Sequence, residues 1–219
     1  MSNTKYFKKA FLTGCDENTQ WMLPWFCKNF RRYHYTPLVF ANFGVTEDFL
    51  ENFVNKNFEG VIDLSMEKGQ GWFLKPRAML NVPAEKVVWL DTDCHILSNI
   101  DDIFNELEPE KLAMVKDHPW TKRRKELWHN SGVVGFINRP SILKAWFRAV
   151  TRHPDVGDQE VLHGMLNPIT KIQYIKDLPH KYNVLRLDVD DGLDPEDKKV
   201  MHWTGKKGKD IIKGLMENE

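Results

Sequence analysis

The chain has 219 residues, enough for one large domain with a sizeable core. Its 31 basic and 31 acidic residues leave no net field to gather nucleic acid, and 42% apolar with 28% charged residues is an ordinary globular composition. No stretch reaches the roughly 18 apolar residues of a spanning helix, and the N-terminal apolar run is too short for a signal peptide. The cysteines Cys15, Cys27 and Cys94 have no metal-ligand spacing and indicate no disulfide framework. These features predict a cytoplasmic protein without a transmembrane segment, for which peripheral contact with a membrane remains open.

Short apolar runs alternate with longer mixed segments, the pattern of strands separated by helices in a layered α/β fold. AFLTG (10–14) predicts the first strand, and residues 19–33 a helix with Trp21, Trp25 and Phe26 near one face and a late start allowed by Pro24. PLVFAN predicts a second strand, VTEDFLENFVNK a helix begun by Thr46 with Glu47 and Asp48 in its first turn, and EGVIDL a third strand. GWFLKPRAMLNV predicts a helix from Pro76 onward, because proline is tolerated in a first turn. EKVVWL is the next strand, residues 100–107 a short helix, and LAMVKD and SGVVGFI two further strands. WTKRRKELWHN carries a basic patch from Lys122 to Lys125, read as a mobile loop over a ligand or a face for an anionic acceptor or membrane. Helices follow over PSILKAWFRAVTRH and DQEVLHGMLN, then strands at KIQYI and KVMHW. DVDDGLDPEDKK, between those two, lacks the ligand spacing of a calcium loop and predicts a solvated turn.

VVWLDTDCHI ends an apolar run in two carboxylates one residue apart. In an open α/β sheet, residues just past the carboxyl end of a strand line the ligand crevice. Alternation along an extended segment puts Asp91 and Asp93 on one side with Thr92 opposite, which suits two hard oxygen ligands for magnesium or manganese. The plainer alternative is that both aspartates cap the following turn. KVMHWTGKKGKD supplies an imidazole, His202, as a third ligand, with glycines that allow backbone approach and lysines that neutralise a diphosphate. Taken singly, His202 reads as a structural histidine and the lysine-glycine run as an exposed loop. The combination points to a metal-bound phosphate substrate.

With those motifs in place, the sequence resembles the nucleotide-diphospho-sugar glycosyltransferases of the GT-A fold, most closely the retaining glycosyltransferase family 8. The likeness runs from about Lys9 to Lys209. It implies an α/β GT-A fold with a central mixed, mostly parallel sheet flanked by helices, as one domain over 1–219 whose segment 199–219 closes the metal and phosphate site and forms the tail. AFLTGCDEN resembles the opening strand and nucleotide-contacting loop, which gives Thr13 and Asp16 cofactor-binding roles, Asp16 at the uracil or ribose. Asp91 and Asp93 correspond to the metal-binding pair, with Thr92 between them, and His202 to the third metal ligand. GWFLKPRAML resembles the segment whose basic residue approaches the donor, making Lys75 the first candidate and Arg77 the second. WHNSGVVGFINRP places Asn130 against the donor sugar, and GDQEVLHGML gives Asp158 and Gln159 roles beneath it, with Glu160 facing solvent. HWTGKKGKD departs from the closing motif: His202 and Gly205 fit, but Gly208 stands at the lysine position and the proline-tryptophan pair is missing. Lys206, Lys207 or Lys209 is then expected to supply the charge.

The resemblance implies transfer of a hexose from a nucleoside diphosphate, UDP before others, to a hydroxyl of a saccharide, lipid-linked, protein or small-molecule acceptor, with Mn2+ or Mg2+ and with retention. Gln159, Asp158 and Asn130 are the catalytic candidates, Gln159 stabilising a cationic centre rather than acting as a base. Two alternatives stay open. A noncatalytic nucleotide-sugar-binding protein of the same fold keeps the ligands without turnover. A haloacid-dehalogenase-like phosphatase shares the strand ending in aspartate, any residue, aspartate, and uses the first as nucleophile, with Val189 to Asp191 as its later metal motif.

Overall fold

A computed structural model describes residues 6–67 and 71–218, apart from the side chain of Trp72. The elements in chain order are β1 (Phe7–Cys15), α1 (Leu23–Arg31), β2 (Leu38–Asn42), α2 (Glu47–Phe49) and α3 (Asn55–Asn57), β3 (Gly60–Asp63), α4 (Gly71–Asn81), β4 (Ala84–Leu90), β5 (Cys94–Ile96) and β6 (Leu112–Lys116). There follow α5 (His118–Arg124), β7 (His129–Ile137), α6 (Ser141–Arg152), α7 (Asp158–Met165), α8 (Pro168–Tyr174), β8 (Ile175–Asp177), β9 (Val184–Leu185), α9 (Arg186–Asp190), β10 (Val200–His202) and α10 (Gly205–Glu217).

Seven strands form one sheet in the order β3-β2-β1-β4-β7-β6-β8. All its pairings are parallel except those of β7, which runs antiparallel to both β4 and β6. The sheet is therefore mixed and mostly parallel, as expected. Its strands are apolar on both faces because both are covered. Alternation divides them cleanly: Ala10, Leu12, Val87, Trp89, Val134 and Phe136 pack with α4, α6 and α7, while Phe11, Val88, Leu90 and Val133 pack with α1 and the segment 100–107. The strand order reverses at β1, whose neighbours β2 and β4 lie on opposite sides, so a crevice opens beyond the carboxyl ends of β1 and β4.

A second sheet, β5-β10-β9, crosses that crevice. Its register sets His202 opposite Cys94, and the Trp203 amide donates to the Asp93 carbonyl at 3.0 Å. Backbone pairing thus delivers the C-terminal imidazole to the mid-chain carboxylates, 109 residues away along the chain from Asp93.

Several elements differ from the sequence expectation. Helix α4 starts at Gly71 rather than Pro76; proline inside it costs a single backbone bond, and the earlier start puts Lys75 in the helix. Residues 171–174 of KIQYI complete α8, begun by Pro168 and capped by Asn167 Oδ1, and only then does β8 form. The helix over 47–57 is broken by a π-helical stretch, Leu50–Val54. The basic patch is helical: Asp117 Oδ1 accepts from the Trp120 amide at 2.9 Å and starts α5. In the acidic segment Asp188 is buried, accepting from the Leu185 amide, while residues 190–194 are exposed.

Candidate functional site

The crevice holds a cavity of about 400 Å³ lined from β1, β4, β7, α4, α7 and the start of α10. Asp91 follows the last residue of β4, and its amide donates to the Gly132 carbonyl at 2.8 Å. The two aspartates converge through a turn closed by the Cys94 amide and the Asp91 carbonyl at 3.0 Å, rather than through strand alternation. Thr92 consequently lines the cavity too. His202 Nε2 lies 3.1 Å from Asp93 Oδ1 and 4.0 Å from Asp91 Oδ2.

The oxygen, oxygen and imidazole set fits a hard or borderline divalent cation such as Mn2+ or Mg2+. Among the described residues, the trio whose ligand atoms all lie within 4.8 Å of one another is Asp93, Cys94 and His202, and Asp91 approaches it through His202 at 4.0 Å. Cys94 is fully buried, however, its thiol directed at the Gly132 carbonyl, and burial pushes its pKa well up, so the neutral thiol is a poor donor. Burial alone would lower the His202 pKa, but Asp93 and Asp91 outweigh it and hold the imidazole above its ordinary value. Asp93 is held below the usual carboxylate range because His202 more than offsets its burial. Asp91 goes the other way, raised by burial and by Asp93 against the pull of Lys75.

Lys75 is 4% exposed and joins this pole to the next. Its Nζ lies 3.0 Å from Asp91 Oδ1 and 3.2 Å from Asp158 Oδ2, and it donates to the Ser131 carbonyl at 3.1 Å. Burial works against its charge, but Asp158 and Asp91 overcome that and raise its pKa. Trp89 Nε1 donates to Asp91, fixing the carboxylate from the sheet side. At the second pole Gln159 Oε1 accepts from Asn130 Nδ2 at 3.0 Å and from the Ser131 amide at 3.1 Å, while its Nε2 donates to Asp117 Oδ2 at 3.0 Å. The β6–β7 register shifts between Met114 and Val115, so residues 131–133 have no partner on β6, and Ser131 and Gly132 reach the cavity.

Of the residues expected from sequence, Asp16, Lys75, Asp91, Thr92, Asp93, Asn130, Asp158, Gln159, His202, Gly205 and Lys209 line this cavity. Thr13, Arg77, Lys206 and Lys207 do not. Thr13 is fully buried within β1; Arg77 is drawn to Glu67 at 3.3 Å; Lys206 is exposed on α10; and Lys207 faces a separate groove with Met201 and Ile211. Glu160 lines the cavity instead of facing solvent. Trp25 is core, as its place on the apolar face of the first helix implies. The phosphatase alternative loses its second motif, since Asp191 pairs with Lys122 at 3.3 Å and none of 189–191 reaches the cavity.

Sequence reasoning missed Asp117, Trp120, Ser131, Gly132 and Leu187 in the lining, and Asn183 behind it. The parallel pairing of β10 with the two-residue β9, which sets Met201 opposite Val184 and His202 opposite Leu185, is what brings Asn183 beside the imidazole. The lysine position of the closing motif is explained directly. Gly208 is buried, and a Cβ there would collide with the Trp203 carbonyl, so no longer residue fits, while Lys209 turns into the cavity.

This combination of sheet order and crevice is that of the GT-A glycosyltransferase fold, and solved structures agree. The glycosyltransferase GlyE of Streptococcus pneumoniae superposes with a TM-score of 0.65 at 17% identity, covering 91% of this chain and 56% of that one. The galactosyltransferase LgtC, in complex with donor and acceptor sugar analogs, gives 0.64 at 16%, covering 95% of each chain. Mouse xyloside xylosyltransferase 1 gives 0.56 at 14%, covering 90% and 97%. The chain thus spans little more than half of GlyE but nearly the whole of the other two. No protein-family model matches the sequence, and no curated protein matches it.

Proposed function

We propose that the chain is a metal-dependent glycosyltransferase that moves a hexose from a UDP donor to an acceptor hydroxyl, with retention at the anomeric carbon. The observation that carries this reading is the convergence of Asp91, Asp93 and His202 at the carboxyl end of β4, where the sheet order reverses. Those three groups would hold a divalent cation, which when bound would supply Lewis-acid stabilisation to a departing diphosphate.

The remaining roles follow from position. The N-terminus of α10, thirteen residues long, begins at the cavity with Thr204 and Gly205, and Thr204 makes no side-chain capping bond among the described residues. Its first amides therefore point partial positive charge at an incoming phosphate, and Lys209 adds a full charge one turn further on. Asp16, at the end of β1, reaches the nucleoside end of the cavity, with one oxygen fixed by the Thr19 hydroxyl at 2.7 Å. Asp158 and Asn130 orient sugar hydroxyls. Gln159 has both ends of its amide engaged and cannot take a proton, so it serves as a fixed dipole beside the anomeric carbon. No carboxylate needs to act as base if the departing phosphate assists attack on the same face, which is why retention is the favoured outcome.

The test is a panel of nucleotide sugars with Mn2+ and mixed acceptors, read by product mass, with the anomeric configuration by NMR. Transfer or slow hydrolysis of a UDP-hexose supports the reading. Donor binding without turnover leaves a nucleotide-sugar-binding protein, and failure to bind any donor overturns both.

A further inference from the structure

Behind the metal-facing groups runs a line of side-chain amides whose deepest member, Asn183, no motif selected. Asn183, just before β9, is fully buried. Its Oδ1 lies 3.0 Å from His202 Nδ1, and its Nδ2 donates to Asn130 Oδ1 at 2.8 Å. The Gly132 amide donates to the same Asn130 oxygen at 2.9 Å, and Asn130 Nδ2 donates to Asp117 Oδ2 at 3.2 Å and to Gln159 Oε1 at 3.0 Å.

The polarity of this line is fixed by the backbone. A main-chain N–H only donates, so the Asn130 atom that meets Gly132 must be its oxygen, leaving its Nδ2 for the Asp117 carboxylate. The Asn183 atom facing that oxygen must then be nitrogen, which turns the Asn183 oxygen toward His202. An amide oxygen only accepts, so His202 Nδ1 carries the proton and Nε2 is left to face Asp93 and Asp91. Gly132 supports the ring from beneath, since a Cβ there would collide with the imidazole. The Nε2–H tautomer would instead leave Nδ1 and the Asn183 oxygen lone pair to lone pair, whereas the Nδ1–H form turns the bare Nε2 toward the Asp93 carboxylate, an opening that a cation or a second proton fills.

We propose that Asn183 is a positioning residue that locks His202 in the Nδ1–H tautomer, presenting Nε2 as ligand nitrogen, and that it links this imidazole to Asn130 at the sugar end. Outer partners of this kind typically govern metal affinity by about 10- to 100-fold. The role of Nε2 as ligand rests on the function proposed above, whereas the lock belongs to the metal-free protein and is measured there.

The experiment uses two-bond ¹H–¹⁵N spectra of the metal-free protein, at a pH high enough for His202 to be neutral, followed by Mn2+ titration. Wild type is expected to show the Nδ1–H tautomer; an Nε2–H tautomer overturns the proposal without any variant. Asn183→Leu, which has no acceptor, is expected to lose the single tautomer and to weaken Mn2+ binding by about 10- to 100-fold. Asn183→Asp keeps an acceptor for Nδ1–H and is expected to retain the tautomer and most of the affinity, although it disturbs Asn130. A merely structural Asn183 would move both variants alike, and equal loss in the two overturns the proposal. Should Asn183→Leu fail to fold, the wild-type tautomer and its retention in Asn183→Asp decide the matter. If wild type shows the lock but binds no Mn2+, the lock stands and the metal reading falls.

Discussion

Lys75 Nζ sits 3.0 Å from Asp91 Oδ1, and the same ammonium reaches Asp158 Oδ2 at 3.2 Å, so one buried cation spans the two poles of the cavity. Helix α4 brings it there, and its ammonium lies 5.6 Å from the ring centre of Trp89, the residue that also holds Asp91. The arrangement gives two buried carboxylates one shared counter-charge.

Lys75→Met therefore leaves Asp91 and Asp158 without their shared partner. The metal-free variant is expected to lose about 3 to 5 kcal/mol in urea unfolding, the cost of stripping one member from a buried ion pair. A loss below about 1 kcal/mol, the range of surface pairs, would show that the pairing contributes little.

Gly132 is where backbone, carboxylate and imidazole crowd together. Gly132→Ala pushes a methyl group into the His202 ring, and overpacking of this kind costs about 1 to 3 kcal/mol. Mn2+ binding is expected to weaken by at least about tenfold, as when a ligand's supports are disturbed, which calorimetric titration measures. Unchanged affinity would mean that His202 is not a ligand.

Gly208 and Lys209 divide the work of the closing motif. Gly208→Lys does not restore a phosphate ligand, because its Cβ meets the Trp203 carbonyl; it is expected to lower the melting temperature and leave nucleotide affinity no better. Lys209→Ala is expected to keep the fold and weaken UDP binding, by about tenfold for loss of one charge-assisted contact. Tighter UDP binding by Gly208→Lys would contradict this assignment.

Acid stability follows from four histidines. Burial is the leading cause that holds His34, His118, His129 and His163 below the ordinary imidazole value of 6.5. The unfolded chain then takes up protons that the folded chain refuses, so stability is full above that value and falls as pH drops through it toward the depressed folded values. In metal-free protein His202 works in the opposite sense, its raised folded pKa giving stability that is lost as pH rises through it. Asp91, also raised, acts in the same sense as His202, and four against two predicts a lower urea midpoint at pH 5 than at pH 7; an equal or higher midpoint would contradict this balance.

Strands β1, β2, β3, β4 and β10 were legible because continuous apolar runs ended at punctuating polar residues, and the carboxylate pair was legible because it stood at such an end. What stayed hidden depends on contacts distant in sequence. β5 has three residues and forms only against β10, so nothing local predicts that Cys94 faces His202. Asn183 and Asp117 are single polar residues in unremarkable stretches, and only their burial beside Asn130 and Gln159 gives them meaning. Arg77 misled because it lies two residues from Lys75 on a helix: a spacing of two turns it to another face, toward Glu67 and Phe147.

The central claim is that Asp91, Asp93 and His202 hold one divalent cation for a nucleoside diphosphate. Calorimetric titration of UDP into the protein, with Mn2+ and with chelator, tests it most directly when repeated on Asp93→Ala. The account predicts binding that requires Mn2+ in the wild type and disappears in the variant while its circular dichroism is unchanged. Equal UDP affinity with and without the ion, or Mn2+-dependent binding that survives Asp93→Ala, would contradict it.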